Sequence, residues 1–196
     1  MDLEELKQAT EKMLPRSRWE HTLRVVETAV RLAEHEGVDG HKTEIAAILH
    51  DYCKFWSEQD LVYWIKQEHL PEELLSYNKE LWHAPVGAAV ACKKFGIRDE
   101  TILNAIRYHT SGRPGMSKLE KIIFLADYIE PGRRFPEVEE VRRIAENSLD
   151  LAVLKALDNT IVFLINQSQK IYPLTLDARN DLLDRVTQKD SREESI

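Results

Sequence analysis

Apolar positions recur along this chain every three to four residues, the period of helices buried on one face. Leu23, Val26, Val30 and Ala33 predict one such helix, closed by Gly37. A second spans roughly Glu44 to Asp51. Ser57, followed by Glu58 and Asp60, predicts an N-cap and acidic first turn for a helix through Leu61 and Ile65. Pro71 and the polar stretch to Lys79 predict a break, and Pro85 suits the first turn of a helix that ends at Gly96. Asp99 caps the next, through Ile102 and Ile106 to His109, and Ser111–Gly115 reads as a turn-rich connection. Ser117 and Glu120 form a capping box ahead of the run Ile122–Asp127, which stops at Pro131-Gly132. Further helices are expected over 137–146, from Leu149 to about Gln169, and from Asp177 after a loop at Ile171–Leu174. No alternating run is long enough for a strand, and no repeat or low-complexity linker interrupts the pattern. The expectation is a single all-α domain over 1–187, with a polar tail over 188–196.

Composition adds little to that picture and charge adds more. With 196 residues, 43% hydrophobic and 31% charged, the chain has enough material for one well-buried core. Its net charge of −7 disfavours non-specific nucleic-acid binding. A phosphate ester would need local positive charge, which a metal centre supplies. Two cysteines, Cys53 and Cys92, without a Cys-x-x-Cys pattern exclude a zinc ribbon or disulfide framework. The acidic start Met1–Glu5 lacks the features of a signal peptide, and no run of about 18 apolar residues predicts a membrane span. A reduced, cytoplasmic protein that binds neither nucleic acid nor membrane is expected. Phe55, Trp56 and Trp64 are expected to expose an apolar patch, which leaves room for a homodimer.

The chemistry lies in polar residues placed where the pattern is apolar. His50-Asp51 ends the run Ile45–Leu49, and a buried carboxylate must be paired, ligated or protonated. Asp127 is the only charged residue between Ile122 and Ile129, with Lys121 or Arg133 as structural partners if it holds no ligand. His21, His83 and His109 also have apolar neighbours; alone, each reads as a helix-start, carbonyl-bonded or C-terminal histidine. His35, His41 and His69 have polar neighbours and read as surface residues. The buried-looking set exceeds what one tetrahedral structural zinc needs. It suffices for two metals, or for one metal plus histidines that contact substrate. Imidazole with carboxylate suits iron, manganese or zinc. Lys54, about one turn beyond Asp51, and Arg133 suit phosphate contacts, whereas Arg113 reads as surface charge.

In this order, and in apolar helices, His21, His50-Asp51 and Asp127 resemble the H…HD…D signature of the HD superfamily of metal-dependent phosphohydrolases. The blocks His50–Phe55, Leu81–Gly87, Ile106–Met116 and Ala126–Pro131 are similar to those of the bacterial HD-type symmetrical bis(5'-nucleosyl)-tetraphosphatases, the diadenosine tetraphosphate hydrolases. The resemblance runs from His21 to about Thr175. It implies an HD-domain helical bundle that hydrolyses diadenosine tetraphosphate symmetrically to two ADP. It implies iron, as one or two ions, on His21, His50, Asp51 and Asp127. Asp51, Lys54, His83 and His109 would carry catalysis, with a metal-activated hydroxide as nucleophile. Lys54, His83, His109, Thr110 and Arg133 would contact phosphates, beside His21, Asp51 and Asp127. Lys170, Ile171, Tyr172, Pro173, Leu174 and Thr175 would lie against the nucleotide. Two other readings stay open: another HD nucleotide phosphohydrolase (a nucleotidase or phosphodiesterase), and a non-catalytic nucleotide-sensing HD module.

Overall fold

The structure, a computed structural model, describes residues 2–193, with side chains to residue 188. Ten α-helices form it, with no strand among the described residues. They are α1 (Leu3–Glu11), α2 (Arg16–Glu36), α3 (Gly40–Leu49), α4 (Glu58–Gln67), α5 (His83–Phe95), α6 (Glu100–Arg107), α7 (Lys118–Ile129), α8 (Val138–Ala145), α9 (Leu149–Asn166) and α10 (Pro173–Glu193). Helix α7 is the axis of the bundle: α2, α3, α6, α8 and α9 all pack against it. Its near-continuous apolar sequence follows from that position, because a helix surrounded on most sides has no polar face to present. Helix α5 covers α6, α1 lies on α3, and α10 closes the far side against α9.

The expected caps are present. Ser57, Asp99 and Ser117 each accept a hydrogen bond from a backbone N–H in the first turn of the following helix, and Ser117 with Glu120 completes a capping box. Gly37 and Gly96 end α2 and α5 in the left-handed conformation.

Five features depart from the expectation. The buried face of α2 is His21, Val25, Ala29, Leu32 and Ala33, while Leu23 is 37% exposed. The same helical period is satisfied by a stripe shifted by one residue, about 100° around the helix, and His21 goes inside with it. The segment after Pro71 contains two 3-10 turns, Glu72–Ser76 and Lys79–Leu81. Helix α10 starts at Pro173 and not at Asp177, because proline fits the first helical position without losing a needed N–H. Of the expected aromatic patch only Phe55 is exposed; Trp56 and Trp64 are half-buried and meet edge to face at 6.0 Å. The tail expected from residue 188 begins inside α10, and residues 194–196 lie outside those described.

The turn between α6 and α7 is pinned under α10. Gly112 has φ +66°, and a Cβ there would stand 3.0 Å from Ala178 Cβ. Gly112→Ala therefore combines left-handed strain with a tight contact, and should lower the unfolding free energy by about 1–2 kcal/mol. Urea denaturation checks this; an unchanged midpoint would show that the turn relaxes freely.

Candidate functional site

Five helix ends and faces converge on one buried cluster. His21 comes from α2, His50 and Asp51 from the end of α3, His83 from the start of α5, His109 from just beyond α6, and Asp127 from α7. His50 and Asp51 are fully buried, and His21, His83 and His109 are at most 5% exposed. His35, His41 and His69 are on the surface, as expected.

The histidines are oriented by the groups behind them. Past the end of α3, His50 Nδ1 lies 2.6 Å from the Ala47 carbonyl. Past the end of α6, His109 Nδ1 lies 2.8 Å from the Ile106 carbonyl. Both rings thereby satisfy a carbonyl of a helix's last turn that has no partner within the helix. A carbonyl only accepts, so in the neutral ring the proton sits on Nδ1 and Nε2 keeps its lone pair. His21 obeys the same logic through Glu130, whose Oε1 stands 2.9 Å from Nδ1. Three lone pairs thus face the interior of the cluster.

Asp51 stands at the centre. Its Oδ2 lies 3.0 Å from His50 Nε2 and 3.8 Å from His21 Nε2. Its Oδ1 lies 3.1 Å from His83 Nε2 and 3.8 Å from His109 Nε2. His83 and His109 touch through their Nε2 atoms at 3.2 Å, and His83 must donate because the His109 proton is on Nδ1. Asp127 Oδ1 lies 2.9 Å from His21 Nε2 and is held by the Arg133 guanidinium. Arg18 pairs with Asp51 Oδ2 and approaches Asp127 Oδ1 at 3.7 Å.

Electrostatics follows this geometry. Burial pushes the Asp51 carboxyl up, but His50 and His83 outweigh it and hold it well below its ordinary range. Asp127 is likewise held well down, against burial, by the nearby His21 ring and the Arg133 guanidinium. Burial and the neighbouring His50 and His83 push His109 well below its ordinary value, and burial also lowers His83. His50 goes the other way, because the adjacent Asp51 outweighs its burial. The cluster therefore combines ionised carboxylates with His83 and His109 imidazoles held toward the neutral form that a metal ligand needs.

These residues fit a metal ion. His21 Nε2, His50 Nε2 and Asp51 Oδ1 are buried without a hydrogen bond of good geometry, an arrangement that is costly unless something binds them. His21, His50, Asp51 and Asp127 place one ligand atom each within 4.8 Å of one another, and Asp51, His83 and His109 form a second such group. Asp51 belongs to both.

A cavity of about 770 Å3 opens beside the cluster, within the ~300–1,000 Å3 range of small-molecule sites. Of the residues expected at the substrate, Lys54, His109, Thr110, Asp127, Arg133, Lys170, Tyr172 and Thr175 line it. His21, Asp51 and His83 sit behind the wall, and Ile171, Pro173 and Leu174 fall outside the lining. Lys54 Nζ pairs with Glu80 at 2.7 Å, and Arg113 is tied in two places to buried Glu120, so Arg113 is a structural residue. Two residues at the cluster escape sequence reasoning. Arg18 lies in a polar N-terminal turn that looks like surface. Glu130 lies just past the apolar run, yet is 2% exposed and also receives Arg24 and the Gly132 N–H.

Glu130 orients the only histidine that α2 supplies to the cluster. Glu130→Ala should reduce affinity for a divalent ion such as Mn2+ by about 10–100-fold while the helical fold persists. Titration against a chelating indicator measures it; unaltered affinity would show that His21 needs no support.

Residues 18–132 match the family model of the HD domain. The chain is 49% identical over 183 residues to the symmetrical bis(5'-nucleosyl)-tetraphosphatase of Bacillus subtilis, covering 93% of this chain and 98% of that one. It is 43% identical over 182 residues to the protein of the same name from Staphylococcus aureus, covering 92% and 94%. A crystal structure described as a predicted HD superfamily hydrolase involved in NAD metabolism, from Clostridium acetobutylicum, superposes with a TM-score of 0.90 at 40% identity, covering 94% of this chain and 98% of that one. The order of the buried histidines and aspartates, their convergence from five helices and the extent of these similarities lead to one conclusion: this chain belongs to the HD domain family, among the symmetrical bis(5'-nucleosyl)-tetraphosphatases.

Proposed function

We propose that this protein hydrolyses diadenosine tetraphosphate symmetrically, giving two ADP. The observation that carries the reading is a metal-ready cluster opening directly onto a nucleotide-sized cavity that Lys54, Arg133 and Lys170 border. Similarity over nearly the full length to symmetrical tetraphosphatases supports the choice of substrate.

His21, His50, Asp51 and Asp127 would hold the metal, for which we favour iron. A metal ion bound there supplies a Lewis acid that acidifies water and offsets phosphate charge. The protein's own residues do the rest. Lys54 and Arg133 border the cavity on either side of Asp127 in sequence and bring positive charge to an otherwise acidic chain. Phosphoryl oxygens take up charge in the transition state, so fixed cations there lower the barrier. Asp51 faces both ligand groups and orients the nucleophile. His83 and His109, neutral at pH 7, offer hydrogen bonds or ligand nitrogens next to the leaving phosphate. Thr110 and the loop from Lys170 to Thr175 hold the nucleotide; Ile171, Pro173 and Leu174 shape that loop through its backbone. The dinucleotide and ADP are accordingly its ligands.

Product analysis tests the substrate assignment. Metal-loaded protein should convert diadenosine tetraphosphate to ADP alone; ATP plus AMP, or an intact substrate, ends the reading. Asp51→Ala should lose both metal and turnover. Lys54→Ala should keep its metal, measured by elemental analysis, while kcat/KM falls by about 10–100-fold. Metal loss in that variant would mean that Lys54 supports the cluster and not the phosphates.

A further inference from the structure

The cavity has a wall that the proposed function does not use. It is built by the end of α7, the connection to α8 and the second half of α9. Tyr128 and Phe135 meet there edge to face at 5.0 Å. Beside them α9 presents Val162 and Phe163, 54% and 58% exposed although they line a cavity. Between these groups lies Asn159, whose side chain interacts with the Tyr128 hydroxyl and whose Nδ2 is buried without a hydrogen bond of good geometry. An apolar surface with one amide that is only loosely engaged suits a flat heteroaromatic ring with acceptors on its edge.

Another part of the lining comes from different elements. Asn78, Gln169, Lys170 and Tyr172 lie on the 3-10 segment and the loop before α10, held together by the Asn78–Gln169 hydrogen bond at 3.0 Å. Lys54, His109, Asp127 and Arg133 line the cavity as well, and they carry the phosphate chemistry. Symmetric cleavage needs this division. The scissile bond lies at the middle of the substrate, so a nucleoside with two phosphates extends to each side of it.

We propose that Phe163, with Tyr128, Phe135 and Asn159, forms the binding subsite for the second nucleoside, the half that leaves as the other ADP. This rests on the symmetrical hydrolysis proposed above. The base stacks on the exposed Phe163 ring, and the Asn159 amide pairs with the edge of adenine, which an amide can do through N6 and N7. The surface is continuous with the phosphate site, which is why the departing nucleotide, and not a second copy of the chain, is its occupant.

The test is Phe163→Ala, read by two numbers on the metal-loaded full-length protein. KM for diadenosine tetraphosphate should rise about tenfold, the scale of one lost base–aromatic stack. The affinity for ADP alone, which on the proposed function takes the Tyr172 side, should stay unchanged, and Phe163→Tyr should restore KM. An equal loss in both numbers would overturn the proposal, since Phe163 would then shape the whole cavity. So would no change in either. So would conversion of a dimer to a monomer by Phe163→Ala in sedimentation, which would assign this face to a second copy. Failure of the symmetrical-hydrolysis reading is separate: it shows in the unsubstituted protein, before any variant is made.

Discussion

The structure depends on keeping one carboxylate ionised where no water reaches it. Asp51 is fully buried, and an isolated charge in such a place costs several kcal/mol even after relaxation. Nothing apolar around it offsets that cost. What does is a shell of imidazoles and one guanidinium, from the adjacent His50 and from three other parts of the chain. The bundle is arranged around this requirement: α2, α5, α6 and α7 meet near the end of α3. A metal ion is the natural centre of such a shell, because it satisfies carboxylate and imidazole together.

Helix ends make the arrangement possible. A helix interior satisfies its own backbone and has nothing left with which to orient a side chain. Its last turn leaves carbonyls free. His50 and His109 use those carbonyls to fix their rings, and the same bonds fix the tautomer that leaves Nε2 available. His21 lies inside α2, where this device is absent, and Glu130 replaces it. Glu130 can remain charged while buried because Arg24, His21 and the Gly132 N–H oppose its burial and keep its carboxyl below the ordinary range. Two routes therefore reach the same ligand geometry.

This explains what could be read from the sequence and what could not. A polar residue inside an apolar run announces itself, and His50-Asp51 and Asp127 stood out for that reason. Caps announce themselves too: Ser57, Asp99 and Ser117 sit at fixed offsets from the runs they open. Arg18 does not, because it sits in a helix start among polar neighbours, nor does Glu130, which follows an apolar run at the Pro131-Gly132 turn; only the fold turns them inward. The buried face of α2 was misjudged for a related reason. Period alone fixes the spacing of a stripe and not its rotation, and a buried histidine counts as polar when stripes are compared. Pro173 was read as a loop residue because proline marks both a break and a helix start.

The overall charge of the chain sets the last constraint. A tetraphosphate carries several negative charges, and a protein of net charge −7 repels it at long range. Binding must then come from local positive charge that outweighs the mean field at short distance. Lys54, Arg133 and Lys170 border the cavity, and the ligand cluster faces it through His109 and Asp127. Lys54 and Arg133 are already engaged, by Glu80 and Asp127. Each contact made to phosphate thus trades against an existing ion pair. Glu80 is mostly exposed, so Lys54 gives up little when it turns to a phosphate. Arg133 is held by both the carboxylate and the backbone carbonyl of Asp127 and keeps its place. The two cations therefore differ in kind: Arg133 is a fixed part of the wall, and Lys54 has an exposed partner that it can leave at little cost.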